Sequence, residues 1–209
     1  MSASIDNILN TIYKPDPMAH MTPEYRKKYV HSFPDTEVVS RSKFICGKCL
    51  DKIVVDIGCG NNVHITIQEV AKKAYGIDRD DCNTKNFHKC DITDIESLKK
   101  LVFSDVELIL MCDIIEHLSN PGMFLDTVKE MYPMVDKVVS APNFQAGFFR
   151  DYIKLGYENV NPEHVAYYSY NTLKNLLVRH KYEIKEFYWY ENSANYPQGL
   201  NEGVLFIAT

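Results

Sequence analysis

Four acidic residues each follow a short apolar run: Asp56 in Asp56-Ile57-Gly58-Cys59-Gly60-Asn61-Asn62, Asp78 in Asp78-Arg79-Asp80, Asp91 before Ile92, and Asp113 after Cys112. Glycines at 58 and 60 permit a tight turn and a close backbone approach to a ligand, with a helix start behind them. Asp78, 20 residues beyond Gly58, is spaced to accept hydrogen bonds from a ribose diol. The dinucleotide pattern G-x-G-x-x-G/A fails, because its sixth position is Val63. An acid two residues before the first glycine suits instead a cofactor with a cationic amino-acid end. Farther along come Asp113-Ile114-Ile115-Glu116-His117 and, later, His164 in Asn161-Pro162-Glu163-His164. An imidazole with an ordinary pKa of about 6.5 is a suitable general base for a hydroxyl proton, and His117 and His164 are the candidate catalytic residues.

These side chains act together only if strand ends bring them to one edge. Apolar, β-rich runs at 53–57, 73–77, 86–90, 106–112 and 137–140 read as strands, and runs at 182–190 and 203–208 as two more. Helical spacing joins Ile67, Val70, Ala71 and Ala74. Thr93 and Glu96 read as a capping box ahead of Ile95, Leu98 and Val102. Asn120 and Pro121 read as the start of a helix buried through Phe124, Leu125, Val128 and Met131. Further helices are expected at 147–155 and 171–180. The alternation predicts an α/β fold: a doubly wound, Rossmann-like, seven-stranded mixed sheet whose last strand is antiparallel. Residues 1–50 are expected to form an arm and one helix, serving as a lid or dimer contact, ahead of a domain at 51–209.

The 209 residues are 45% hydrophobic and 24% charged, enough for one domain with a sizeable core. A net charge of −5 supplies no global basic field for nucleic acid, and only Arg26-Lys27-Lys28 cluster. No membrane span or signal peptide is legible, so a cytoplasmic protein is expected. Six cysteines do not form a disulfide framework. Cys46-Gly47-Lys48-Cys49 lacks a second half for zinc and reads as small apolar side chains on a helix.

Val54-Val55-Asp56-Ile57-Gly58-Cys59-Gly60, Tyr75-Gly76-Ile77-Asp78 and Cys90-Asp91 resemble the successive motifs of class I S-adenosylmethionine (SAM)-dependent methyltransferases, over roughly residues 52–209. The resemblance implies that Asp56, Gly58, Cys59 and Gly60 hold the methionine part of SAM. It gives the ribose hydroxyls to Asp78 with Arg79 beside it, the adenine to Asp91 and Ile92, and a place in the cofactor site to Cys112. Asn62 stands where many members have a third glycine.

Asp113 to His117 and the His164 segment are similar to a branch that includes ubiquinone-pathway O-methyltransferases and enzymes of glycan modification. That branch implies a small hydroxylated acceptor, with a sugar or nucleotide-sugar first, while a homodimer is the alternative to a lid as the role of the arm. The order Asp113, Glu116, His117, Ala141-Pro142-Asn143, His164 also looks like the small-RNA 2′-O-methyltransferases that hold a divalent metal, and this resemblance implies that Asp113, Glu116, His117 and His164 would hold Mg2+, Mn2+ or Fe2+. A cofactor-binding module without chemistry is a further alternative. An N-methyltransferase motif of the Asn/Asp-Pro-Pro-Tyr/Phe type is replaced by Cys112-Asp113-Ile114-Ile115. Aromatics gather late, at Tyr157, Tyr167, Tyr168, Tyr170 and Tyr188-Trp189-Tyr190, where they serve either packing or stacking on a ring. Phe148, Phe149, Arg150 and Tyr152 lie on the short helix where acceptor selectivity would reside.

Overall fold

The structure is a computed structural model that describes residues 21–60, 62–191 and 196–209. Contacts divide the chain into Met1–Pro34 and Asp35–Thr209. In the first unit a short helix, α1 (Pro23–Tyr29), starts on Thr22, whose hydroxyl accepts from the Tyr25 amide at 3.1 Å, with Pro at the first helical position. Most of the arm expected to act as a lid lies outside the described residues.

In the second unit β1 (Val38–Val39) and α2 (Arg41–Cys49) precede β2 (Ile53–Ile57), α3 (Asn62–Val70), β3 (Lys73–Asp78) and β4 (Phe87–Lys89). Then follow α4 (Ile95–Leu98), β5 (Leu108–Cys112), a 3-10 turn (Ile115–His117), α5 (Pro121–Met131), β6 (Asp136–Pro142), α6 (Gly147–Lys154), α7 (Tyr170–Arg179), β7 (Ile184–Tyr190) and β8 (Gly203–Ala208). The sheet order is β1-β7-β8-β6-β5-β2-β3-β4. All pairings are parallel except those of β8, which runs antiparallel between β6 and β7.

Side chains alternate between two apolar faces, as in a sheet covered on both sides. Leu108 and Leu110 of β5 pack with Ile45 and Cys49 of α2 and Ile67 of α3, while Ile109 and Met111 pack with Phe124 and Val128 of α5 and Leu173 and Leu177 of α7. Asp56 follows Val54 by two residues and therefore shares the α2–α3 face.

Several sequence expectations are corrected. The sheet has eight strands rather than seven, because Val38 and Val39 add to β7 opposite Trp189 and Tyr190. The helix expected in the arm is α2, which packs on the sheet, and the contact division falls at Pro34. Ala74 belongs to β3, not to the helix before it. The cap of α4 is Asp94, whose carboxylate accepts from the Ser97 amide and hydroxyl at 3.2 and 2.6 Å, because Thr93 is held by Asp91. That helix ends at Leu98, which leaves Val102 57% exposed and off its stripe. Among the described residues no helix is long and apolar enough to cross a membrane.

Candidate active site

Strand order reverses between β2 and β5, and in doubly wound sheets the crevice outside the carboxyl ends of such strands receives the ligand. Gly58 leaves β2 with φ +75°, and a Cβ there would lie 2.1 Å from Ile114 Cγ2 on the loop after β5. Only glycine allows these two loops to approach so closely. Gly60, with φ +52°, donates its amide to Asp78 Oδ2 at 2.9 Å, and Asp80 donates its amide to Oδ1 at 3.0 Å. Asp78 thereby braces the glycine loop and retains lone pairs toward the crevice.

A cavity of about 260 Å³ opens there, lined by Gly58, Asp78, Asp91, Ile92, Ile114 and His117. Asp91 accepts the Thr93 amide and hydroxyl at 2.9 and 2.7 Å, bonds that hold its carboxyl below the usual range. Arg79 lies on the rim and reaches Glu163 at 2.9 Å. A second cavity, of about 240 Å³, shares Gly58 and is lined by Asp56, Cys59, Gly60, Cys112 and Arg41. All nine residues expected at a cofactor thus border this pair of adjoining spaces. Burial pushes the Cys59 and Cys112 thiols far up, away from the thiolate form.

A third cavity, of about 260 Å³, lies beside them, with Glu116, His164, Phe144, Phe148, Phe149 and Tyr167 among its walls. His117 borders the first cavity and His164 the third, and their rings meet edge to face with centroids 4.6 Å apart. Glu116 is 2% exposed and neither carboxylate oxygen has a hydrogen-bond partner. Burial, and the nearby Asp113 next, push its carboxyl up to about 8. One ligand atom from each of Glu116, His117 and His164 falls within 4.8 Å of the others.

The fourth member of the expected metal set does not join them. Asp113, with φ +52°, accepts from Ser140 Oγ at 2.7 Å and Tyr190 Oη at 3.0 Å, and pairs with Arg41 Nη2 at 2.9 Å. It is bound by groups from β6, β7 and α2, and although it lines the first cavity with His117 it is not in the group of ligand atoms that Glu116, His117 and His164 form. Asn143, in the expected Ala141-Pro142-Asn143 segment, is also structural, donating to the Gly199 and Asn201 carbonyls at 3.1 and 3.0 Å. Tyr170 and Trp189 pack with Phe187 in the core, whereas Tyr167 and Tyr168 line the third cavity. Arg150 and Tyr157 are exposed.

His64 and Glu163 have no signal in the sequence. His64 Nδ1 lies 2.8 Å from Asp56 Oδ2, and Glu163 stands between Arg79 and His117, 3.9 Å from His117 Nδ1. Cys59, Asp78 and Cys82 also converge, and Cys49, the last residue of α2, is buried.

The fold is that of the class I SAM-dependent methyltransferases. The chain is similar to a SAM-dependent methyltransferase from Archaeoglobus fulgidus, with a TM-score of 0.57 and 17% identity over 88% of this chain and 97% of that one. It is similar to the small RNA methyltransferase HEN1, with a TM-score of 0.63 and 14% identity over 85% of this chain and 26% of that one. The methyltransferase domain of bacterial CtHen1 gives a TM-score of 0.59 and 13% identity over 81% and 97% of the two chains. No protein-family model matches the sequence, and no curated protein matches it.

Proposed function

We propose that this chain transfers a methyl group from SAM to a hydroxyl oxygen of a small molecule. The observation that carries the reading is the imidazole pair that stands between the crevice at the switch point and the third, aromatic-walled cavity. SAM, when bound, supplies an electrophilic methyl carbon and accepts the carbon–sulfur electron pair on its sulfur. The chain's own work is to hold and orient. Asp78 accepts hydrogen bonds from the ribose hydroxyls, Asp91 and Ile92 border the adenine, and the glycine loop lies along the methionine part. On the acceptor side an imidazole of the His117 and His164 pair takes the hydroxyl proton as the oxygen attacks. Burial and then the neighbouring His117 hold His164 below the ordinary imidazole value, so it is a free base at neutral pH.

Phe148, Phe149 and Tyr167 offer ring faces for stacking on the apolar side of a sugar, in keeping with the acceptor class suggested by the sequence. A sugar or nucleotide-sugar derivative of a glycan pathway, in the cytoplasm, heads the acceptors to screen.

The two Glu116 oxygens lack a hydrogen-bond partner, with His164 Nε2 at 3.9 Å from Oε1, which favours a second reading, in which Glu116, His117 and His164 hold a divalent cation. The donor set fits Mg2+, Mn2+ or Fe2+, which would lower the pKa of a bound hydroxyl. Likeness to HEN1 supports a vicinal diol, such as an RNA 3′ end, as the acceptor in that case.

Calorimetric titration with SAM and S-adenosylhomocysteine tests the cofactor. Turnover with hydroxylated sugars and nucleotides, with and without a chelator, then separates the readings. Micromolar cofactor binding and chelator-resistant methylation are expected, chelator-sensitive methylation would transfer the function to the metal reading, and no cofactor binding would end both.

A further inference from the structure

Cys59 and Cys82 hold their sulfurs 4.0 Å apart, one on the loop that leaves β2 and the other on the loop that leaves β3. An oxygen of Asp78 completes a cluster whose ligand atoms all lie within 4.8 Å of one another. Both cysteines are free thiols, each 8% exposed, and methyl transfer gives neither sulfur any work. Their separation is far too long for a bond. It is close to the span of about 3.8 Å between two thiolates that each lie about 2.3 Å from a tetrahedral zinc.

The surroundings hold these atoms in place. A Cβ on residue 76 would lie 2.9 Å from Cys59 Sγ, so Gly76 opens the space that the sulfur fills. Asp78 accepts one amide on each oxygen, from Gly60 and Asp80, which fixes the carboxylate and leaves each oxygen a lone pair. The charges nearby are anionic. Asp56 and Asp78 act on the Cys59 thiol, and Asp78, Asp80 and Asp81 on that of Cys82. The neighbouring cations are already paired, Arg79 with Asp80 and Glu163, and Lys89 with Asp81. Such a setting favours a bound cation, whose own charge displaces the thiol protons. Asp78 borders the first cavity and Cys59 the second, which gives the ion a way in and a place for water beside it.

We propose that Cys59, Cys82 and Asp78 form a site for a thiophilic divalent cation of the zinc class, with water from the crevice as the fourth ligand. Binding makes two metal–sulfur bonds and one metal–oxygen bond and releases the two thiol protons to solvent, with no electron transferred. The ion occupies the Asp78 lone pairs that the cofactor reading gives to the ribose, so ion and cofactor exclude each other. That exclusion rests on the cofactor reading, whereas the metal site itself does not.

The test titrates the full chain, kept reduced by a phosphine, with Cd2+ and reads the sulfur-to-metal charge-transfer absorption. Ligation by Glu116, His117 and His164 contributes nothing to that signal. One Cd2+ binds per chain through two thiolates. Cys82→Ser lowers the absorption by about half and weakens the ion by about 10-fold or more, and Cys46→Ser, which breaks the other close pair of cysteines in the sequence, leaves both unchanged. Undiminished absorption in Cys82→Ser, its loss in Cys46→Ser, or none in the wild type overturns the site. Metal-free Cys82→Ser binds S-adenosylhomocysteine within about 3-fold of wild type, which shows that the variant folds. Calorimetry with the same ligand reads the exclusion. Cd2+ weakens its binding to wild type by about 10-fold or more but not its binding to Cys82→Ser, which controls for chelation by the ligand. Equal affinity for Cd2+-loaded and metal-free wild type overturns Asp78 as a shared ligand. Failure of the metal-free wild type to bind S-adenosylhomocysteine overturns the cofactor reading and leaves the metal site supported by its absorption.

Discussion

Ile114 packs so closely against Gly58 that a Cβ added to the glycine would fall 2.1 Å from Ile114 Cγ2. Gly60, two residues on, has nothing within 4 Å of its Cβ position. Both have positive φ, so both substitutions strain the backbone, but only one adds a clash. Gly58→Ala is expected to cost about 2–4 kcal/mol of stability and Gly60→Ala about 1 kcal/mol. Urea denaturation of the two variants checks this, and equal losses would refute the close packing of the two loops.

Asp78 both braces the glycine loop and faces the crevice, so its carboxylate should matter more than any other single group for the cofactor. Asp78→Ala is expected to weaken S-adenosylhomocysteine binding by about 10- to 150-fold, the range for hydrogen bonds to a charged partner. Unchanged calorimetric affinity would move the ribose elsewhere.

The raised pKa of Glu116 predicts a pH dependence of stability with a definite sign. Its carboxyl rises from 4.5 to about 8 on folding, so between those values the folded state keeps a proton that the unfolded chain has released. Stability therefore falls as pH rises through that window and the loss is complete above it. Glu116→Gln removes the penalty and should be more stable than wild type by about 2–4 kcal/mol at pH 8, with much less gain at pH 5. Thermal melts at the two pH values decide it, and a gain that does not grow with pH would count against a buried, protonated Glu116. Under the metal reading the same variant abolishes Mn2+ binding.

His164 is held below the ordinary imidazole value by burial first and by His117 second. As general base it must be neutral, so the acid limb of kcat/KM should lie below about pH 6.5, with activity rising through it. His164→Ala should lower kcat/KM by about 100- to 10,000-fold and remove that limb. A limb retained in the variant would assign it to another group.

The strand-end positions that matter were legible before any packing was known. Apolar runs of β period put Asp56, Asp78, Asp91 and Asp113 at the carboxyl ends of their strands, and positions 58 and 60 demanded glycine for local backbone reasons. These features depend on near neighbours, so they are legible without the fold. Tertiary packing decided which side chains meet. Asp113 was an equal candidate for metal binding until Ser140, Tyr190 and Arg41, from three other elements, claimed its oxygens. His64 carries no signal in the sequence, and it is Asp56's partner because α3 lies on that face of β2 and Gly76 leaves room for the ring. The eighth strand follows the same rule. Val38 and Val39 are too short to announce a strand, and they form one only because the edge of β7 offers unpaired backbone groups.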